Sequence, residues 1–230
     1  MLTLERVAIL LEDFALAADL SVAEGARVAV IGPSGAGKST LLAAIGGFAP
    51  ISDGRLLWRG AAIGHLPPAR RPVATIFQDN NLFPHLTVAA NVGLGLAPNA
   101  RLGAEDRARV AETLASVGLG GLGARKPGSL SGGQQSRVAL ARAALQDRPV
   151  MLLDEPFAAL GPALKVEMID LVIRLADDRG ATLLMVTHDP GDARQLGGET
   201  ILVAEGRARP PVPTTQLLEN PPDVLRNYLG

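Results

Sequence analysis

The sequence predicts an α/β protein with a parallel-sheet core, an antiparallel β segment at its N-terminus and a helical segment inserted between core strands. Three observations lead there. Short apolar runs such as Val28-Ala29-Val30-Ile31 and Val150-Met151-Leu152-Leu153 have strand length and are bounded by Gly, Pro or Asp, the pattern of strands buried on both faces. Amphipathic stretches alternate with these runs, the order expected of a parallel sheet with covering helices. Between about residues 79 and 148 the pattern turns mainly helical, with glycine-rich breaks.

Taken in order, Leu2–Leu10 and Phe14–Val22 read as short strands, with a turn at Glu24-Gly25. Val28–Ile31 is a buried strand that feeds the glycine-rich stretch Gly32–Ser39 and then an apolar helix, Thr40–Ile45, stopped by Gly46-Gly47. Arg55–Arg59 and Val73–Phe77 are further strand candidates. Ala104–Val117 and Gln134–Leu145 read as helices. Strand character returns at Val150–Leu153. Pro162–Asp178 is amphipathic, with Val166, Ile169, Ile173 and Ala176 on one stripe and Gly180 near its end. Leu183–Val186 and Ile201–Ala204 are the remaining core strands. The prolines at Pro210–Pro213 and Pro221-Pro222 flank one last short helix.

The whole of 1–230 is thus expected to form one domain. Its core and β subdomain span about 1–78 and 149–206, a helical subdomain about 79–148, and a tail about 207–230. No internal repeat or low-complexity tract interrupts it.

Formal net charge is −1, with Lys+Arg 22 and Asp+Glu 23, so no bulk field steers the protein onto nucleic acid and any anion binding must be local. Cysteine is absent, which excludes a disulfide framework and a thiolate metal site and fits a reducing compartment. The segment Met1–Arg6 lacks a basic stretch followed by an apolar core, so no signal peptide is expected. Asp79 and Arg101 bracket a stretch with no formal charge. Asn80, Asn81, Pro84, His85, Asn91, Pro98 and Asn99 argue against a membrane span there. It reads as a buried helix with its loops, or as an uncharged surface that meets a partner.

Chemistry concentrates at four places. Gly32-Pro33-Ser34-Gly35-Ala36-Gly37-Lys38-Ser39 matches a phosphate-binding loop without a mismatch. Glycines free backbone N–H groups to face phosphate oxygens, and the following helix adds its positive end. Lys38 is placed to reach the terminal phosphates, and the Ser39 hydroxyl to ligate Mg²⁺. Asp154 and Glu155 close an apolar strand; with a phosphate loop upstream they read as a metal-supporting carboxylate and a water-polarising one. His188 follows the strand Leu183–Val186 and is either a γ-phosphate sensor or a plain loop histidine; Gln78, after Phe77, either joins the metal's coordination or simply ends its strand. His65 and His85 have no such setting. Leu130-Ser131-Gly132-Gly133-Gln134 opens a helix, so the amides of Ser131, Gly132 and Gly133 and the Ser131 hydroxyl form a second anion seat; on its own the same stretch is an N-capped helix. A second seat in a chain that already has one makes sense if it faces nucleotide held by another copy.

These residues, in this order, resemble the ATP-binding subunits of ABC transporters from about Leu2 to about Gly206. The resemblance implies a P-loop NTPase (RecA-like) core and a head-to-tail homodimer with two ATP molecules at its interface. Each ATP lies between Gly32–Thr40 of one copy and Ser131–Gln134 of the other, with Mg²⁺ near Ser39, Gln78 and Asp154. Glu155, His188 and Lys38 are the expected catalytic residues. The partners implied are transmembrane permease subunits and, through them, a solute-binding protein; nucleic acid is not among them. The implied location is the cytoplasmic face of a bacterial inner membrane, as a peripheral subunit. Pro67–Val73, Phe77–Val88 and Gly93–Leu96 are similar to the ATPase subunits of bacterial thiamine importers. Importers of iron, sulfate or polyamines, exporters, soluble ABC-type ATPases and non-catalytic nucleotide sensors are the alternatives.

Two departures from the family pattern bear on function. Leu10-Leu11 stand where the family usually has an aromatic residue that stacks on adenine, and Phe14 is the nearest ring. Gly161 ends Ala158-Ala159-Leu160-Gly161, where the family usually has an Asp that helps join the two sites.

Overall fold

The alternation of side chains along β3 (Arg27–Ile31) organises the molecule. Val28 and Val30 point into one core, while Ala29 and Ile31 point into another. The same division runs along β7 (Val150–Asp154) and β8 (Thr182–Val186): Val150, Leu152, Leu184 and Val186 join the first core, and Met151, Leu153, Leu183 and Met185 the second. A strand covered on both faces has no solvent side on which to carry polar residues, which is why these runs read as continuously apolar.

The computed structural model describes residues 1–12, 14–99 and 101–229, the last three without their side chains. With β6 (Val73–Ile76) and β9 (Glu199–Ala204), the parallel core has the order β9-β3-β8-β7-β6. The antiparallel part is β1 (Leu2–Leu11), β2 (Phe14–Val22), β4 (Asp53–Trp58) and the two-residue β5 (Ala61–Ala62). Two-residue β10 (Arg207–Ala208) joins the parts by pairing parallel to β2 and antiparallel to β9, and β11 (Val212–Pro213) also pairs with β9. The α/β class and the antiparallel N-terminal portion are as the sequence predicts.

Helix α1 (Lys38–Gly46) lies between the parallel and antiparallel parts, with Leu41, Leu42 and Ile45 in the first core. It starts two residues earlier than its apolar pattern predicts, inside the phosphate-loop motif. In the interval after β6, α2 (Val88–Gly93), α3 (Ala104–Ser116) and α4 (Gly132–Leu145) pack together and extend the second core. The uncharged stretch therefore holds a buried helix. Its fully buried Asn91 is satisfied by Phe83, donating to the Phe83 carbonyl at 3.0 Å and accepting from the Phe83 amide at 2.8 Å. Helix α5 (Pro162–Asp177) completes that face.

Two local expectations needed revision. The segment after β8 forms a helix that the sequence pattern did not reveal, α6 (Pro190–Leu196), capped by Asp189, whose side chain accepts from the Gly191 amide at 2.8 Å. It is too short for a hydrophobic period to register. The tail contains two helices rather than one, α7 (Thr214–Glu219) and α8 (Asp223–Leu229). Pro221 and Pro222 separate them, since neither can donate an amide to a continuing helix. Among the described residues no helix is long and apolar enough to cross a membrane.

Candidate functional site

The carboxyl ends of β3, β7 and β8 converge, and the charged residues of the motifs follow those ends. Gly32 has φ 151, and a Cβ there would sit 1.9 Å from the Val203 carbonyl oxygen, so the turn out of β3 accepts no side chain. Gly35 (φ 75) and Gly37 (φ 100) carry the loop through left-handed backbone into α1. Lys38 is 7% exposed and folds back over the loop, its Nζ donating to the Gly32 carbonyl at 2.9 Å and the Pro33 carbonyl at 3.0 Å. Burial lowers its pKa, against the opposing pull of Glu155 and Asp154.

Ser39 Oγ donates to Asp154 Oδ1 at 2.9 Å, which joins the phosphate loop to the end of β7. Burial raises the Asp154 pKa and Glu155 adds to the rise, while the Ser39 hydrogen bond and Lys38 oppose it. A hydroxyl and a carboxylate at this spacing are hard oxygen donors of the kind Mg²⁺ takes alongside phosphates and water, so the residues present fit that ion.

Glu155 has φ 43, a conformation that costs a non-glycine residue about 1–3 kcal/mol and is found where surroundings over-determine the backbone. Its amide donates to the Val186 carbonyl at 3.3 Å, and its Oε2 lies 3.6 Å from Nδ1 of His188. The structure therefore brings the two residues together from different strands. Gln78 is exposed, two residues beyond the pairing of Ile76 with Leu153.

A cleft of about 240 Å³ is lined by Ser34, Gly35, Gly37, Lys38, Ser39, Thr40, Glu155 and Phe14. Phe14 is the aromatic residue that sequence reasoning left outside its list of site residues. Its ring lies against Gly37, where an added Cβ would meet Cζ at 2.4 Å. The signal for it is register: Leu11 pairs with Phe14 across the β1–β2 hairpin, so Phe14 starts β2 at the end nearest the phosphate loop. Leu10 and Leu11 are exposed and do not line the cleft.

The Leu130–Gln134 stretch stands apart, and none of its residues lines the cleft. Ser131 caps α4 in a reciprocal box: its Oγ accepts from the Gln134 amide at 3.3 Å, and Gln134 Oε1 accepts from the Ser131 amide at 3.0 Å. The box engages the Ser131 amide and hydroxyl within the chain and does not involve the Gly132 and Gly133 amides. Ser131 and Gly132 remain exposed, while Gly133 is buried against Leu164 of α5, where an added Cβ would sit 2.5 Å from Cδ2.

A further cluster surrounds the His188 turn and was not visible in the sequence. Lys165 of α5 binds Asp189 Oδ2 at 2.9 Å and Asp192 Oδ1 at 3.1 Å. Thr187 Oγ1 donates to Asp192 Oδ2 at 2.5 Å.

Comparison with known proteins identifies the family. The ABC transporter family model matches residues 16–158. The chain is 60% identical over 230 residues to the thiamine import ATP-binding protein ThiQ of Cereibacter sphaeroides, covering 100% of both chains. It is 58% identical to the protein of the same name from Ruegeria sp., again over 100% of both. Among solved structures, it matches the dimeric post-hydrolysis state of the ATP-binding cassette MJ0796 bound to ADP and Pi, with TM-score 0.79 and 31% identity over 93% of this chain and 99% of that one.

Proposed function

The chain belongs to the ATP-binding subunits of ABC transporters, and from that premise we propose that it is the motor of an importer that takes up thiamine or its phosphates. Its fold is that of the P-loop ATPase cassettes, and it is an ABC-type ATPase. The thiamine assignment draws on full-length similarity to thiamine import proteins. One observation carries the residue-level reading: Lys38, Ser39 and Glu155 line a single cleft, Asp154 is bonded to Ser39 at its edge, and the Ser131–Gln134 turn is absent from it.

In this reading the amides of Gly32–Thr40 cradle the phosphates of ATP. Lys38 exchanges its two loop carbonyls for phosphate oxygens, which are better partners for a buried ammonium. Ser39 and Asp154 would hold Mg²⁺, with Gln78, two residues beyond β6, as a further oxygen donor. The ion, when bound, neutralises charge on the phosphates. Glu155 orients the attacking water and accepts its proton, and His188 contacts the γ-phosphate across from it. Phe14 offers its ring to the base.

The cleft lacks a cover over the phosphates, and an exposed helix N-terminus on another copy supplies one. The dimeric state of the matching cassette supports that arrangement. The segment of about residues 79–148 acts as the subdomain that carries the covering turn. A second cleft, of about 330 Å³, is lined by Phe48, Phe77, Phe83 and Arg142. Phe48 and Phe83 are 53% and 46% exposed, and Gln78 directly follows Phe77. We assign this aromatic cleft to a permease subunit, so that docking is felt at Gln78. The working location is then the cytoplasmic membrane face, with a solute-binding protein on the far side.

The test is co-purification of the complex from membranes, followed by an ATPase assay with and without thiamine. Turnover stimulated by thiamine supports the assignment; stimulation only by an unrelated solute overturns it. In the same complex Glu155→Gln should lower turnover by about 10²–10⁴-fold, the usual contribution of a positioned acid–base group, while trapping ATP in the dimer. Wild-type turnover in that variant would falsify the role given to Glu155.

A further inference from the structure

Lys165 stands where helix chemistry disfavours it. It is the fourth residue of α5, and its amide closes the first turn on the Gly161 carbonyl at 2.9 Å. A cation there opposes the helix dipole. The side chain is also largely covered, at 15% exposure. Burial works to lower its pKa, but the hydrogen bonds and charges of Asp189 and Asp192 together outweigh it and raise the pKa. Those contacts offset what the local position opposes.

Both carboxylates follow His188 in the chain. Asp189 immediately follows His188, and Asp192 lies three residues further, in α6. Thr187 locks the turn from the other side: its Oγ1 donates to Asp192 Oδ2 at 2.5 Å and accepts from the Asp189 amide at 3.1 Å. Lys165 Nζ holds Asp189 Oδ2 at 2.9 Å, and Asp192 through Oδ1 at 3.1 Å and Oδ2 at 3.2 Å. Glu155, His188, Lys165 and Asp192 line one small hollow.

These contacts close a ring. From Glu155 the chain runs through residues 156–161 into α5 and reaches Lys165. Lys165 grips the turn that carries His188, and His188 Nδ1 returns to within 3.6 Å of Glu155 Oε2. On the reading of Glu155 and His188 given above, we propose that Lys165 is a positioning residue for hydrolysis: by binding Asp189 and Asp192 it fixes where His188 stands relative to Glu155.

A purely structural role would be to pin α6 onto α5, and another side chain already serves that end. Gln195 Nε2 donates to the Val166 carbonyl at 2.8 Å and to Asp170 Oδ1 at 2.9 Å, joining the same two helices away from His188. Gln195 is therefore the internal control.

The experiment measures ATP turnover and KM in the permease complex for Lys165→Met, Lys165→Arg and Gln195→Ala. Lys165→Met is expected to lower kcat by about 10²-fold, the scale of a small misplacement of catalytic groups. KM for ATP should stay within about threefold, as for an interaction that matters mainly in the transition state. Lys165→Arg should restore most of the loss, and Gln195→Ala should leave kcat unchanged. If Lys165→Met does not fold, Asp189→Asn carries the test: asparagine keeps the α6 cap while weakening the ion pair, and a kcat loss at constant KM is again expected. Wild-type kcat in the Lys165 variant, or in Asp189→Asn where that replaces it, overturns the proposal. So does an equal loss in Gln195→Ala. A wild-type complex with no ATPase activity overturns the functional reading instead, which keeps the two failures distinct.

Discussion

Two helices in this molecule begin at glycine-rich turns, and their first turns are finished differently. At α1 the N-cap is Gly37, in left-handed backbone and without a side-chain cap. At α4 the N-cap is Ser131, and the reciprocal box engages the amides of Ser131 and Gln134. An uncapped N-terminus at the mouth of a cleft leaves its amides for a ligand. A self-capped one holds its shape alone and keeps less in reserve. Ser131 Oγ accepts one hydrogen bond from Gln134 and retains its proton, so it can still donate to a phosphate oxygen. On the proposed function, the phosphate loop binds nucleotide within one chain, and the Ser131–Gln134 turn meets nucleotide held by another.

The largest expected effect breaks the first half of that comparison. Lys38→Ala removes an ammonium that now rests on the Gly32 and Pro33 carbonyls. A hydrogen bond to a charged group contributes about 1.5–3 kcal/mol, so ATP affinity of the single chain should fall by roughly tenfold to 10²-fold and turnover should vanish. Thermal shift gives an independent reading. ATP at about 100 times its Kd stabilises by about 2.7 kcal/mol, and at the same ATP concentration the variant should keep only about 0.4–1.4 kcal/mol of that. An unchanged ATP-dependent shift would remove Lys38 from the site.

Ser131→Arg breaks the other half and should do so selectively. The side chain is exposed and lines no part of the cleft, so ATP affinity of the single chain should stay within about twofold. ATP-dependent dimerisation and turnover should both be lost, because on the proposed function a bulky side chain displaces the small donor that meets phosphate across the interface. The cap loss alone costs about 1 kcal/mol, visible as a modest fall in Tm. The decisive measurement is sedimentation with and without ATP; a dimer that still forms would mean the turn does not meet nucleotide.

How much of this was legible in the sequence follows the same division. Gly32–Ser39 is contiguous, and its chemistry needs only the strand before and the helix after, so the motif fixes it locally. The reciprocal box at α4 was also written in order, since Ser131 and Gln134 have the capping-box spacing; its consequence, a seat already half satisfied, required geometry. Features that depend on register or on distant partners were not legible. Phe14 reaches Gly37 because of the β1–β2 pairing, and Lys165 meets Asp189 and Asp192 only after α5 and α6 pack together. The left-handed backbone of Glu155 gave no signal, because no turn residue marks it.

Phe14→Ala is a milder perturbation of the self-sufficient site. Stacking on an aromatic side chain is worth about 1–3 kcal/mol per base, so ATP should bind about 5- to 150-fold more weakly. Inorganic triphosphate, which has no base, should bind as before. That contrast separates a lost stack from a disturbed loop: equal weakening of both ligands would mean the ring only supports Gly37.

The smallest effect is expected from Gly161→Asp, the position where this chain lacks the family's usual carboxylate. Gly161 is the N-cap of α5 with φ −66 and ψ 157, and an added Cβ meets nothing within 4 Å. Aspartate caps better than glycine by a few tenths of a kcal/mol, so the variant should be slightly more stable, with Tm raised by about 1 °C for a chain of this size. The new acceptor follows Leu160, whose Cδ2 would lie 3.8 Å from a Cβ added at Gly132. The ATP dependence of turnover should therefore steepen while single-chain ATP affinity is unchanged. If stability rises but the ATP dependence keeps its shape, the two regions communicate through the covering turn alone and the missing carboxylate has no part in it.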